Sequence, residues 1–459
     1  MEPKDLGRKV LEEVEKLYPK YRRVLSELVS IDTVSAQRSS SEMMRGAEYL
    51  SSVLGDLGFR TSVRSYGGHP IVVGEVGEGP ISILIYNHYD VQPVEPLELW
   101  DSNPFELVER EGKLFGRGVA DNKGNIAARV AAIEALLPYI DKLGLKIKYI
   151  IEGEEEIGST TLPRAVEDMK DWLKCDGGFW ETGYVGRRGE FLVTLGFKGM
   201  VYVEIVLRGA NRDVHSGSAP LIPNPVWRLV RFLSSIKDEK GRVLVDWLYR
   251  GVKELEWAPE LLEKMSIEHL EETKKQLGIK EFNEGLEGIE ALKKLHLSPS
   301  INVSGLYAGY TGKGSKTVIP SVAGAKIDIR LVPEQDPEEI LSEFKKFMEE
   351  KGIGDAELIL HGNAYPAGYT RPSEDIVRAS VDAARDIYGV EPVLVPLSAG
   401  SGPYYYIANY VGTPLTSAGV GYYDSRAHAP NENIRVEDFI KSMKHVALTI
   451  IRFTAMKQK

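Results

Sequence analysis

Cysteine is almost missing from this 459-residue chain, in which Cys175 stands alone. One thiol closes no intrachain disulfide, so neither a disulfide scaffold nor a cysteine-rich metal site is available. A reducing compartment fits that count, and a cytoplasmic protein is expected. Long hydrophobic runs are lacking as well. None approaches the roughly 18 apolar residues of a membrane-spanning helix. The opening MEPKDLGRKVLEEVEKLYPKYRRVL mixes both signs of charge and has no apolar stretch of the kind an export signal needs. Positive charge is in deficit, with 57 Lys+Arg against 67 Asp+Glu and a formal net charge of -10. That sign is wrong for a binder of nucleic-acid backbones or anionic membranes, and neither partner is expected. Repeats and low-complexity tracts are also absent.

What is present is ordinary globular material, 43% hydrophobic and 27% charged, in a length that suggests two or three domains. The first segment reads as a surface helix, with Val10, Leu11, Val14, Leu17 and Tyr18 at helical spacing. From about residue 57 the pattern turns to short β-rich runs. Ile81-Ser82-Ile83-Leu84-Ile85-Tyr86 leads to the polar Asn87-His88-Tyr89-Asp90, LKIKYIIEGEEEIGS ends in an acidic cluster, and CDGGFWETG brings Glu181 to a third strand end. Between the first two, GRGVADNKGN opens a helix whose Ile126, Val130, Ile133, Leu137 and Ile140 predict a stripe covering one face of a sheet. Strands alternating with helices predict an α/β sheet with its polar groups gathered along one edge.

Near Phe197 a second pattern begins. GMVYVEIVLRG, NPVWRLVRFLSSI, SINVSGLYAG, AGAKIDIRLVP, PEEILSEFKKFMEEKG and AELILHG read as βαββαβ, the ferredoxin-like order. A charged, mostly helical stretch from 237 to 296 interrupts it and reads as a solvated covering layer. SEDIVRASVDAARDIYG, a strand from Pro392 to Pro396 and a closing helix after Val436 then resume the α/β pattern. The expected domains are therefore 1–196 and 369–459 as two parts of one, with 197–368 inserted.

Of the eight histidines, His88, His215 and His428 stand in polar settings that a core does not explain. His69, His269, His296, His361 and His445 carry no functional hypothesis. His88 and Asp90 form an H-x-D pair at a strand end, where residues two apart share a side and a carboxylate can orient an imidazole. Asp121 precedes a helix, a position that also suits an N-cap. Glu154-Glu155-Glu156 ends an apolar strand and needs either cations or solvent to relieve like-charge repulsion. One Asp, two Glu and two His could hold two metals with a bridging carboxylate and leave another carboxylate as base, a donor set suited to zinc, manganese or cobalt.

NHYDVQP, GRGVADNKG, EGEEEIGS, RDVHSGS, KTVIP, IRLVP and AHAPNE, in this order from about residue 80 to 435, resemble the dinuclear metallopeptidase family. Its members include carnosinases, glutamate carboxypeptidase, aminoacylase, acetylornithine deacetylase and succinyl-diaminopimelate desuccinylase. The resemblance implies a two-domain protein: a mixed-sheet α/β catalytic domain with helices on both faces, and an inserted ferredoxin-like lid and dimerisation domain. It assigns His88 and Glu181 to one divalent ion, Glu156 and His428 to the other, and Asp121 to the bridge, with a cis Asp121–Asn122 peptide. Zinc is the expected metal, with manganese or cobalt as alternatives. Glu155 would be the base that moves a proton from attacking water to the leaving nitrogen, and Asp90 would be the partner of His88. His215 would reach the active site of a second subunit in a homodimer, and Arg330, helped by Thr317 and Ser401, would hold a free substrate carboxylate.

RGANRDVHSGS resembles the dipeptidase branch most, yet Glu181 stands where that branch usually has Asp and where carboxypeptidases and deacylases have Glu. The implied substrates are dipeptides or short peptides, with N-acyl amino acids as the alternative. Rival chemistries fit poorly. Ser401 in AGSGP lacks the G-x-S-x-G elbow of a serine hydrolase. GYTGKGSKT puts Ser315 where a phosphate loop requires Lys. A noncatalytic metal-dependent binding protein would need the ligands but not Glu155.

Overall fold

Residues 3–37 and 40–458 are described in the computed structural model, and they divide into two units. The first comprises Met1–Gly196, Tyr369–Val395 and Tyr406–Lys459, and the second Phe197–Gly368 and Pro396–Tyr405. In the first unit, six strands form a mixed sheet in the order Arg60–Arg64, Ile71–Val76, Leu145–Glu152, Ile81–His88, Gly177–Trp180 and Leu415–Ser417. The last four run parallel and the first two pair antiparallel. Ile81–His88 is buried at every position but Ser82, and Gly177–Trp180 at every position. Side chains alternate between faces along a strand, so both faces of the central sheet are covered.

The helix Lys123–Leu136 differs from its expected amphipathic form. Every residue except Glu134 is buried, Arg129 included, because the helices Pro3–Ser30 and Val436–Lys457 pack against it as well as the sheet. Its expected stripe also stops early: Leu137–Tyr139 is a separate 3₁₀ turn with Pro138 in its first positions, and Ile140–Leu143 is a short helix of its own. The first helix runs through Pro19 to Ser30 and buries Val10, Val14, Tyr21, Leu25 and Leu28. Among the described residues no helix is long and apolar enough to cross a membrane.

The second unit has an antiparallel sheet in the order Ser300–Ala308, Val322–Leu331, Gly196–Arg208, Glu357–Leu360, which is the ferredoxin-like arrangement. Val201, Val203, Ile205 and Leu207 alternate onto one face with Ala323, Ala325, Ile327 and Ile329, where they meet Leu229 and Phe232 of the helix Pro225–Ser234 and Phe344 and Phe347 of the helix Pro337–Glu350. Lys198, Met200, Tyr202, Lys326, Asp328 and Arg330 fall on the opposite face. The helices Ala258–Glu263, Glu268–Leu277 and Gly288–Leu297 bury their own small core around Leu262, Leu270 and Leu292. Pro396–Tyr405 joins this unit because Ser398–Ser401 pairs in parallel with the start of Gly196–Arg208.

Candidate metal centre

Three adjacent parallel strands of the first unit deliver polar residues to one edge. His88 closes Ile81–His88 in register with Glu152, Glu155 and Glu156 follow Glu152 in the turn Glu155–Ile157, and Glu181 follows Gly177–Trp180. Asp121 comes from the turn before Lys123–Leu136, and the Asp121–Asn122 peptide is cis. Asn122, not Asp121, occupies the N-cap, and its side chain caps nothing. His428 comes from a loop in which Arg426, His428 and Asn431 all take positive φ, from +56° to +63°. Non-glycine residues rarely adopt that region unless surrounding contacts enforce it.

These residues meet through Asp121. Its Oδ1 is 3.0 Å from His88 Nε2 and its Oδ2 is 3.1 Å from His428 Nε2. His428 Nε2 is also 3.2 Å from Glu156 Oε2, and His88 Nε2 is 3.5 Å from Glu181 Oε2. His88, Asp121 and Glu156 each offer one donor atom within 4.8 Å of the others. Among the described residues, Glu156 Oε1 and Glu181 Oε2 are buried with no hydrogen-bond partner. Four carboxylates, those of Asp121, Glu155, Glu156 and Glu181, thus crowd two imidazoles. Burial, with Glu181 and Glu156 adding to it, pushes the Glu155 carboxyl well above its ordinary range, and burial pushes Glu181 up to about 8. His428 is pushed up to about 11 by hydrogen bonds to Asp121 and Glu156. Excess negative charge, orphaned carboxylate oxygens and hard O and N donors fit divalent cations.

A surrounding layer fixes these groups. His88 Nδ1 lies 3.1 Å from the Asp90 carbonyl oxygen and 3.3 Å from its Oδ1. The Asp90 carboxylate also accepts from the backbone N–H groups of Glu155 and Glu156, so it anchors the acidic turn as well as the imidazole. Glu154 points elsewhere, accepting from His69 N, Thr160 and Thr161. Three contributors carry no role in the sequence reading. Gln92 donates to Glu156 Oε2 at 2.9 Å. Arg129 donates to the carbonyls of Tyr86, Trp180 and Ala418, tying three strands together. Glu432 accepts from Gly118 N, Ala120 N, Asp121 N and Arg117 Nη1 at 2.8–3.1 Å. Gln92 and Glu432 stand inside NHYDVQP and AHAPNE, and this placement was the only sequence signal for either.

The remaining four candidate residues lie in the second unit. His215 ends the strand Val214–His215 and Thr317 immediately precedes its partner strand Val318–Ile319, with His215 Nε2 3.4 Å from Thr317 Oγ1. His215 is exposed, and its Nδ1 accepts from Gly217 N. Arg330 is half-buried with Asp328 at 3.6 Å. Ser401 donates to the Gly199 carbonyl, and its Cα pairs with Lys198.

The profile of peptidase family M20/M25/M40 matches residues 84–452. The structure is similar to that of an M20 family metallo-carboxypeptidase from Sulfolobus solfataricus, with a TM-score of 0.90 and 37% identity over 95% of this chain and 99% of that one. In sequence, the chain is 27% identical to the Cys-Gly metallodipeptidase of Saccharomyces cerevisiae over 95% of this chain and 96% of the yeast protein. It is also 27% identical to the human Beta-Ala-His dipeptidase, over 96% and 92% of the two chains.

Proposed function

This chain belongs to peptidase family M20/M25/M40, and from that premise we propose that it is a dinuclear metallopeptidase cleaving dipeptides or short peptides that end in a free carboxylate. The observation that carries the reading is Asp121, each of whose carboxylate oxygens faces a different imidazole. His88 and Glu181 would hold one divalent ion and Glu156 and His428 a second, with Asp121 placed between the two imidazoles to serve both. Two imidazoles with carboxylates favour zinc, then manganese or cobalt. Such ions supply Lewis acidity to a scissile carbonyl and to water. Glu155 takes the proton from the attacking water and delivers it to the leaving nitrogen. Asp90 holds both the Glu155 backbone and the His88 ring in place for that transfer.

In this reading Arg330 and Ser401 hold the substrate's terminal carboxylate, Arg330 offering a planar fork of donors. His215 serves the active site of a partner subunit, which makes the enzyme a homodimer joined through the second unit, and Thr317 beside it helps to hold the substrate carboxylate. The exposed apolar Leu221, Trp227 and Val230 of that unit support the association. A single, buried Cys175 suits a cytoplasmic enzyme. Glu181, the residue of the carboxypeptidase and deacylase branches, favours N-acyl amino acids as the second substrate class.

The test is hydrolysis by metal-loaded protein of free dipeptides, the same dipeptides amidated at the C-terminus, and N-acetyl and N-succinyl amino acids, with and without chelator. Chelator-sensitive cleavage of free dipeptides, abolished by amidation, is expected. Glu155→Gln should lose about 10²–10⁴-fold in kcat while keeping its metals. Activity indifferent to chelator, or a fully active Glu155→Gln, overturns the reading.

A further inference from the structure

Within the second unit, a cavity of about 300 Å³ lies where the Gly288–Leu297 helix and its neighbours cover the start of the sheet. Its lining combines apolar Val243, Phe282 and Leu286 with Lys198, Lys237 and Lys294 and a single carboxylate, Glu284. The cavity adjoins two of the residues assigned above to the substrate carboxylate. Ser300, which lines it, is the cross-strand partner of Arg330. Lys198, which also lines it, pairs with Ser401 and lies close enough to Arg330 for their charges to repel.

The charges here do not balance. Lys294 is paired with Glu284 at 2.9 Å and Arg330 with Asp328 at 3.6 Å. Lys198 is almost fully buried, and its ammonium donates only to the neutral Leu295 and Ser298 carbonyls, each at 2.7 Å. Among the described residues no hydrogen bond or ion pair engages the half-buried Lys237 ammonium, which feels Asp328 and Glu284 only at longer range. Two lysines are therefore left without an ion-paired carboxylate in a partly enclosed space, an arrangement that costs stability unless an anion arrives. Burial holds Lys198 down at about 8 and lowers Lys237 too; a bound carboxylate relieves both. A substrate ending in an acidic residue brings two negative charges, one on its α-carboxylate and one on its side chain.

We propose that this cavity receives the side chain of the substrate's C-terminal residue and selects an acidic one, so that dipeptides and N-acyl amino acids ending in glutamate or aspartate are the preferred substrates. The proposal rests on the reading of Arg330 and Ser401 as the carboxylate-holding pair. The side-chain methylenes lie against the apolar lining, and Lys237, the unpaired and more accessible lysine, meets the distal carboxylate.

The experiment compares kcat/KM of the full-length, metal-loaded enzyme for Ala-Glu, Ala-Gln and Ala-Lys, each as free acid and as C-terminal amide. Glutamine matches glutamate in shape, so the Glu/Gln ratio isolates the charge. It should be on the order of tenfold or more in the wild type, fall to about one in Lys237→Gln, and give way to a preference for Ala-Lys in Lys237→Glu. Equal rates for Ala-Glu and Ala-Gln in the wild type, or a ratio that survives Lys237→Gln, overturn the acidic selectivity while leaving the dipeptidase reading intact. Amides cleaved as fast as free acids overturn the carboxylate pair itself, and the proposal with it.

Discussion

Replacing Glu432 by glutamine keeps the size and shape of the side chain and exchanges one carboxylate oxygen for an NH₂ group. In the native protein each oxygen accepts two bonds: Oε1 from the Ala120 and Asp121 amides, Oε2 from the Gly118 amide and Arg117 Nη1. Whichever way the new amide turns, two donors face an NH₂ that accepts nothing. Both Glu432 and Arg117 are buried, at 0% and 1% exposure, so water does not replace the lost acceptor. Two orphaned buried donors at roughly 1–3 kcal/mol each give about 4 kcal/mol. Removing one partner of a buried ion pair leads to a similar figure, about 3–5 kcal/mol. The damage should spread to metal binding, because Glu432 ties the turn that presents Asp121 to the segment that presents His428. Urea unfolding at pH 7 with chelator should show the loss in stability, and titration calorimetry should show zinc binding about 10–100-fold weaker. Hydrogen exchange at residues 117–121 should accelerate in the same variant. A Glu432→Gln protein within about 1 kcal/mol of wild type, with unchanged zinc affinity, would refute the reasoning.

Two further outcomes follow from the cores. His445 is fully buried against Phe191 and Tyr388, its Nε2 3.0 Å from the Ser380 carbonyl, and burial pushes it down to about 4. The folded form therefore keeps His445 neutral while the unfolded chain takes up a proton near pH 6.5. Its contribution is complete above pH 6.5 and is lost as pH falls toward 4, about 2 kcal/mol between pH 7 and 4.5. Urea midpoints measured with chelator should lose correspondingly less over that interval in His445→Gln; an identical pH slope counts against the assignment. In the second unit, Phe344 is fully buried and meets Phe232 and Trp247 edge-on at 5.9 and 5.8 Å. Phe344→Ala should cost about 3–5 kcal/mol in urea unfolding, and a cost under about 1 kcal/mol would mean that this core repacks freely.

Much of this architecture is legible in the sequence because parallel strands advertise themselves. Ile81–His88 and Leu145–Glu152 run through the apolar stretches Ile83–Tyr86 and Tyr149–Ile151 and turn polar where they end, so His88, Glu155, Glu156 and Glu181 are marked by position as well as type. The ferredoxin-like order is equally plain, since its strands bury one face and alternate. Local pattern fails where tertiary contact decides. The helix Lys123–Leu136 reads as amphipathic, but Arg129 lies buried among strand-end carbonyls that are far away in sequence. Ser398–Ser401 joins the second unit because of a partner 200 residues upstream, and nothing in SAGS announces it. Glu432 reads as one more charged residue of a loop, since its four donors lie more than 300 residues earlier.

The same distinction separates charges that the fold itself needs from those that await a ligand. Glu432 is buried with both oxygens answered by the protein, and Arg129 places both Nη groups on carbonyl oxygens and keeps only Nε unpaired, so the fold accounts for their charges. Glu156 Oε1 and Glu181 Oε2 are buried without a hydrogen-bond partner at the strand edge, and Lys198 and Lys237 have no ion-paired carboxylate beside the sheet of the second unit. Leaving such groups unpaired costs stability, and apolar residues of similar size would relieve that cost. Their signs are opposite: the strand edge of the first unit carries an excess of carboxylate suited to cations, and the cavity lining in the second an excess of ammonium suited to an anion. A metal-dependent enzyme whose substrate carries more than one carboxylate would satisfy both, and the Glu/Gln ratio in Lys237→Gln measures whether it does.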